Sequence, residues 1–132
     1  MIGWQSALAV VIGGGIGSLI RYLVTFVMSQ RLGPGFPWWT FLINVTGSFI
    51  IGLVFELTQT RAFTGSQLIR IFWMTGVIGG YTTFSTFSLD TLQLVEEGVY
   101  GLAFAYAIGS VIAGFAGAFG GMAIVRAFST PH

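Results

Sequence analysis

Gly79-Gly80-Tyr81-Thr82-Thr83-Phe84-Ser85-Thr86-Phe87-Ser88 decides how this sequence is read. The stretch lies inside an apolar segment running from about Leu68 to Leu94, with no charge between Ile71 and Leu89. About 20 helical residues cross a bilayer, so the segment is long enough to span. Its middle is a poor recipe for an inert anchor. Two glycines loosen the helix, and five serine and threonine hydroxyls follow, with two phenylalanines three residues apart. Irregular backbone is tolerated at membrane depth only where protein buries it or where it lines a wet cavity. The stretch therefore predicts a membrane helix broken near its middle, with polar groups at the break. Such breaks are where channels and transporters handle ions.

Composition agrees with that class. Charged residues make up 7% of 132 residues, against about a quarter in a soluble domain, and hydrophobic residues make up 55%. The charges are Arg21, Arg31, Arg61, Arg70 and Arg126 against Glu56, Asp90, Glu96 and Glu97. A balance of +1 is too weak to imply nucleic acid. Without cysteine there is no disulfide framework or thiolate metal site. The single histidine, His132, closes the chain after Thr130-Pro131 and is set aside as a possible cloning remnant.

Four apolar segments are expected to span, at about 2–29, 38–58, 68–94 and 98–126. The first has no basic start and is too long for a cleaved signal peptide. The turns between segments are short. Gly33-Pro34-Gly35 with Pro37 cannot continue a helix, Arg61 to Ser66 joins the second and third spans with Ser66 placed to cap the third, and Glu96-Glu97-Gly98 separates the last two. The expected fold is one all-α, four-span membrane domain over residues 1–132, its third helix broken.

An even number of spans leaves both termini on one side, with Arg61, Arg70 and Arg126; Arg31 and Arg21 lie toward the other. Three against two is a weak bias under the positive-inside rule. It fits a slight preference for termini inside, or a chain that inserts both ways and pairs antiparallel with itself. Small residues recur at four-residue spacing: Gly13 and Gly17, Gly76 and Gly80, Ser110 and Gly114, Gly117 and Gly121. Such seams let helices approach closely in lipid, and their number favours an oligomer.

Polar groups inside the spans are the candidate functional residues. Asn44 sits near the middle of the second span, on one face with Thr40 and Ser48 and beside Gly47. An unpartnered amide in an apolar phase costs roughly 4–8 kcal/mol against cyclohexane. Asn44 must therefore meet water or a partner, as part of a path or as interhelical glue. Arg21 lies toward one end of its helix, where it either snorkels or stands at the mouth of a wet vestibule and attracts anions. Phe84 and Phe87 share a face if the segment after the break is helical, and alternate with Ser85, Thr86 and Ser88. Ring edges are positive and solvate anions, whereas ring faces attract cations. Tyr106 and Ser110 share a face of the fourth span, as path or as packing. Asp90 and Glu56 fall near span ends.

Several function classes are excluded. No carboxylate sits at the centre of a span, so the usual proton-coupling group of a transporter is missing. No nucleophile has a base and no metal-ligand cluster exists, so an enzyme is not expected. Gly13-Gly14-Gly15-Ile16-Gly17 lies within an apolar span and does not read as a nucleotide loop.

Three motifs, in order, resemble those of the Fluc (CrcB) fluoride channels. They are Gly13-Gly14-x-x-Gly17-x-x-x-Arg21-Tyr22, then Thr40-x-x-x-Asn44-x-x-Gly47-x-Phe49-x-x-Gly52, then Gly76-x-x-Gly79-Gly80-x-Thr82-Thr83-Phe84-Ser85-Thr86-Phe87-Ser88. The resemblance covers essentially the whole chain. It implies an antiparallel homodimer in the bacterial inner membrane, with two separate fluoride pores. It implies that Asn44, Phe84, Phe87, Ser85, Thr86, Tyr106 and Ser110 line the pore and that Arg21 lines its vestibule. It also implies a structural sodium ion on the dimer axis, held by the Gly79 and Thr82 backbone carbonyls. Two positions depart from the family pattern. Asp90 stands where glutamate is common, and Trp39 stands where glycine is common; its indole either narrows a vestibule or sits in the interfacial aromatic belt with Trp38, and the belt is the favoured reading. The expected function is a passive channel that exports fluoride. The rivals are a small dual-topology proton-coupled exporter, which lacks its carboxylate here, and a non-transporting scaffold subunit, which leaves the hydroxyl-rich break unexplained.

Overall fold

The computed structural model describes residues 3–33, 35–59 and 67–129. All regular structure there is helical: α1 (Trp4–Arg31), α2 (Trp38–Gln59), α3 (Gln67–Arg70), a π-helical stretch (Ile71–Ile78), α4 (Gly79–Tyr81), α5 (Phe84–Glu96) and α6 (Tyr100–Phe128). Three of these, α1, α2 and α6, are 28, 22 and 29 residues long and apolar enough to cross a bilayer unbroken. The third span is two arms, 67–81 and 84–96, parted by two extended residues, Thr82 and Thr83. The cap expected at Ser66, the arginine at 61, Pro34 and His132 lie outside the described residues.

Each boundary has a local cause. α2 begins directly after Pro37, and the Phe41 amide donates to the Pro37 carbonyl at 3.1 Å. α5 ends in a Schellman turn. Gly98 takes φ of +78°, the Val99 amide donates to the Leu94 carbonyl and the Gly98 amide to the Val95 carbonyl, both at 3.0 Å. Glycine is needed there because other residues are strained at positive φ. The π-helical stretch has no counterpart in the sequence reading: nothing in Ile71–Ile78 signals the wider turn.

Packing falls into two pairs. α1 lies along the first arm of the third span, backbone against backbone. A methyl on Gly13 would sit 2.7 Å from the Phe72 carbonyl oxygen. α2 lies along α6, where a methyl on Gly117 would sit 3.0 Å from the Val45 carbonyl oxygen. The glycine seams are thus used inside one chain, and they no longer speak for an oligomer. The interior is small: Leu94, Ala103 and Tyr106 are buried together under Phe36, Phe41, Phe87 and Leu102. Large side chains such as Leu8, Ile12, Phe104, Phe115 and Phe119 face outward. That is the arrangement of a protein whose solvent is lipid or another chain rather than water.

Candidate functional site

At the break, Asn44 holds the backbone of Thr83. The Asn44 amide pairs with the backbone of Thr83, accepting from its N–H at 2.8 Å and donating to its carbonyl at 3.0 Å. The Thr83 amide, which left the helix ladder, thereby regains an acceptor, and the Thr83 carbonyl, the N-cap acceptor of α5, gains a second donor. Thr83 itself is buried, with extended φ and ψ of −151° and 113°. Its hydroxyl oxygen accepts from the Thr86 amide at 3.2 Å and so caps α5. Its proton goes to Thr86 Oγ1 at 3.0 Å, and Ser85 Oγ lies 3.3 Å away. On the other side of the break the Thr82 hydroxyl donates to the Ile78 carbonyl at 3.1 Å, which also receives the Thr82 amide at 3.0 Å.

Two cavities flank Thr83. The first, about 310 Å³, is walled by Asn44, Thr82, Thr83, Phe84, Phe87 and Ser110, with Gly47, Ser48, Ile51, Ile78 and Val111 completing it. The Phe84 and Phe87 rings are tilted by 41° with centroids 5.6 Å apart. Ser110 Oγ is shielded from solvent and has no hydrogen-bond partner. One Asn44 N–H is committed to Thr83, which leaves its second free. The second cavity, about 290 Å³, is walled by Arg21, Ser18, Thr25, Trp39, Thr40 and Thr86, with Tyr22, Ile43 and Thr83. Thr40 is 1% exposed, and its hydroxyl is shielded from solvent beside Tyr106. Arg21 Nη1 reaches the Thr82 carbonyl at 3.4 Å. Neither wall contains an aspartate or glutamate.

The site residues expected from the sequence are therefore distributed. Asn44, Thr82, Phe84, Phe87 and Ser110 meet at the first cavity, and Arg21 and Thr86 at the second. Ser85 stands on the exposed side of α5 and lines neither. Gly79 is exposed one helical turn before the break. Tyr106 lines neither cavity. It is fully buried, its hydroxyl donates to Asp90 Oδ2 at 3.2 Å, and its ring lies 5.4 Å from those of Phe87 and Phe36. Trp39, expected in the interfacial belt, stands in the wall of the second cavity beside Arg21. Thr83 was not singled out in the sequence, although it carries most of the hydrogen bonds at the break. Ser18 and Thr25 were passed over as well. Their spacing from Arg21, three before and four after, puts all three on one helix face and was a usable signal.

Three helices long and apolar enough to cross a bilayer, beside a further helical segment broken at mid-length with a cavity on each side of the break, define a multi-pass membrane protein. Residues 8–122 match the family model for CrcB-like protein, Camphor Resistance (CrcB), and the chain belongs to that family. Among its relatives, a fluoride-specific ion channel FluC of Rhodopseudomonas palustris (strain BisB5) is 48% identical over 124 residues, covering 92% of this chain and 98% of the relative. FluC 2 of Nitrobacter hamburgensis is 51% identical, covering 90% and 95%. FluC of Agrobacterium fabrum is 50% identical, covering 86% and 90%. The family is one of ion channels, not of enzymes.

Proposed function

We propose that this protein is a fluoride-selective passive channel of the bacterial inner membrane. It would work as an antiparallel homodimer with two pores and relieve the cytoplasm of fluoride. The reading rests on the first cavity. There Asn44, with one amide N–H not spent on Thr83, and Ser110 line the same space as two phenylalanine rings. A small anion trades its hydration shell for donors of this kind and for positive ring edges. Entry would be through the second cavity, where Arg21 and the Thr25 hydroxyl favour an anion over a cation. Thr83 and Thr86 stand between the two spaces. Serial neutral donors without a buried carboxylate suit conduction, because each holds the ion weakly enough to release it. The same lack of a carboxylate disfavours proton-coupled export.

A second copy completes the site. Phe84 is 79% exposed, and the Ser85 beside it is exposed too. A hydroxyl facing lipid is costly unless another chain covers it. The sodium ion implied by the family resemblance fits the chemistry of the break. Thr83's amide, which would have closed an α-helical bond to the Gly79 carbonyl, is turned to Asn44. Thr82's carbonyl stands outside the helix ladder. Backbone carbonyls of this kind suit a desolvated alkali cation. Two oxygens are too few for a cage, so the ion calls for the matching pair of a second chain. When bound, it would supply the positive charge that ties the two broken helices together.

Purified protein in liposomes loaded with fluoride or chloride tests the channel reading with ion-selective electrodes. Rapid fluoride release with chloride retained is expected. Fluoride release no faster than from empty liposomes would sink it.

A further inference from the structure

Arg21 stands without a carboxylate. The one ion pair among the described residues joins Arg126 Nη2 and Glu56 Oε2, 3.0 Å apart at the other end of the molecule. A guanidinium in a spanning segment nevertheless needs compensation. What Arg21 has is the break. Its Nη1 donates to the Thr82 carbonyl at 3.4 Å, and the neighbouring Ser18 hydroxyl donates to the Gly80 carbonyl at the same distance. The negative ends of the interrupted helix are thus already occupied by donors from α1, one of them a full positive charge. Thr82's carbonyl is also half of the oxygen set that the proposed function assigns to sodium.

We propose that Arg21 is the resident counter-charge of the helix break, and that its guanidinium and a sodium ion compete for the Thr82 carbonyl. The inference rests on the sodium reading and adds a regulatory role for Arg21 to it. With the carbonyl given to the ion, Arg21 is released into the second cavity, which Ser18, Thr25 and Thr40 also line. Its five N–H donors are then free for an anion. Sodium at the break and anion in the vestibule are thereby coupled, and the coupling is reciprocal.

Thermal unfolding of the purified protein, titrated with sodium chloride against N-methylglucamine chloride at constant ionic strength, reads the half-saturating sodium concentration. It does so without reference to transport. Arg21→Gln removes the competing charge and is expected to lower that concentration about fivefold or more, within the usual range of site coupling. Arg21→Met, which keeps the stem without the head, is expected to do the same and guards against a fold defect in one variant. The ratio between wild type and variant is expected to persist at high background salt. Competition for a single oxygen is not screened, whereas repulsion across a distance is. Equal half-saturation in all three proteins, or a ratio that collapses as N-methylglucamine chloride is added, overturns the shared-oxygen proposal and leaves the sodium site standing. No stabilisation of the wild type by sodium overturns both.

Discussion

At the scale of single residues, Asn44 shows how much a buried polar group discloses and how much it withholds. Its position in an apolar span already required a partner, because an unpaired amide there is too costly. Which partner was not legible: Thr83 is 39 residues away, and only the folded chain brings its peptide unit to the amide. Of the two readings weighed for Asn44, the glue is seen in its bonds to the Thr83 backbone, and the path is a proposal that its place in the wall of the first cavity supports. Asn44→Asp separates them. The carboxylate still accepts from the Thr83 amide but no longer donates to the Thr83 carbonyl, which keeps its place as the N-cap acceptor of α5, a loss of about 1 kcal/mol, and it places a negative charge in the proposed anion path. Fluoride release in liposomes is expected to vanish while the protein still purifies as a folded species; retained flux would take Asn44 out of the path. Phe84 is a cleaner case, because it is 79% exposed and its ring contact is with Phe87. Phe84→Ala is expected to slow fluoride release strongly while the protein still purifies as a folded species. A large drop in melting temperature with normal flux in the surviving protein would make the ring a packing group instead.

At the scale of elements, the break and the turn after α5 were both readable, because each depends on residues next to one another. Gly98 at positive φ after two glutamates is a local stop, and two adjacent β-branched threonines after a glycine pair leave the helix readily. The π-helical stretch and the choice of partner for each glycine seam were not readable. Both are settled by the fit of whole helices, α1 against Ile71–Ile78 and α2 against α6. Thr83 is the element-level hinge of the site, capping α5 with its side chain while Asn44 holds its backbone. Thr83→Val keeps the extended backbone preference and the shape but removes the cap. The loss expected is roughly 1 kcal/mol, seen as a lower melting temperature. The same change frees Thr86 Oγ1 from its donor, so fluoride release is expected to change as well. Thr91, whose hydroxyl donates to the Phe87 carbonyl within α5, serves as a control. Thr91→Val is expected to leave flux near wild type. If the two variants behave alike, the cap has no special place in the site.

For the whole molecule the open question is which way the chain lies in the membrane. The arginines divide almost evenly between its two ends, and the surface gives no stronger sign. Arg31 closes α1 at one end, and Arg126 is paired with Glu56 at the other. An orientation signal that weak permits both insertions. A two-fold pair of oppositely inserted chains would match each exposed break, with its Phe84 and Ser85, to an identical surface running the other way. The sequence contains no cysteine, which makes the point testable with single substitutions. Glu97 lies in the exposed turn between α5 and α6, on the end of the molecule shared with Arg31. In intact cells, Glu97→Cys treated with a membrane-impermeant maleimide is expected to label in about half the chains, because two orientations of nearly equal charge bias insert equally. Permeabilisation should bring the remainder to full labelling. Adding two lysines to the 32–37 turn, at the same end as Glu97, should hold that end in the cytoplasm and drive labelling from outside toward zero. If the pores need both orientations, fluoride export should fall with it and return when a second copy, biased the opposite way, is expressed in the same cells. Complete or absent labelling of the unbiased protein would show a single orientation, and the antiparallel pair would have to be abandoned.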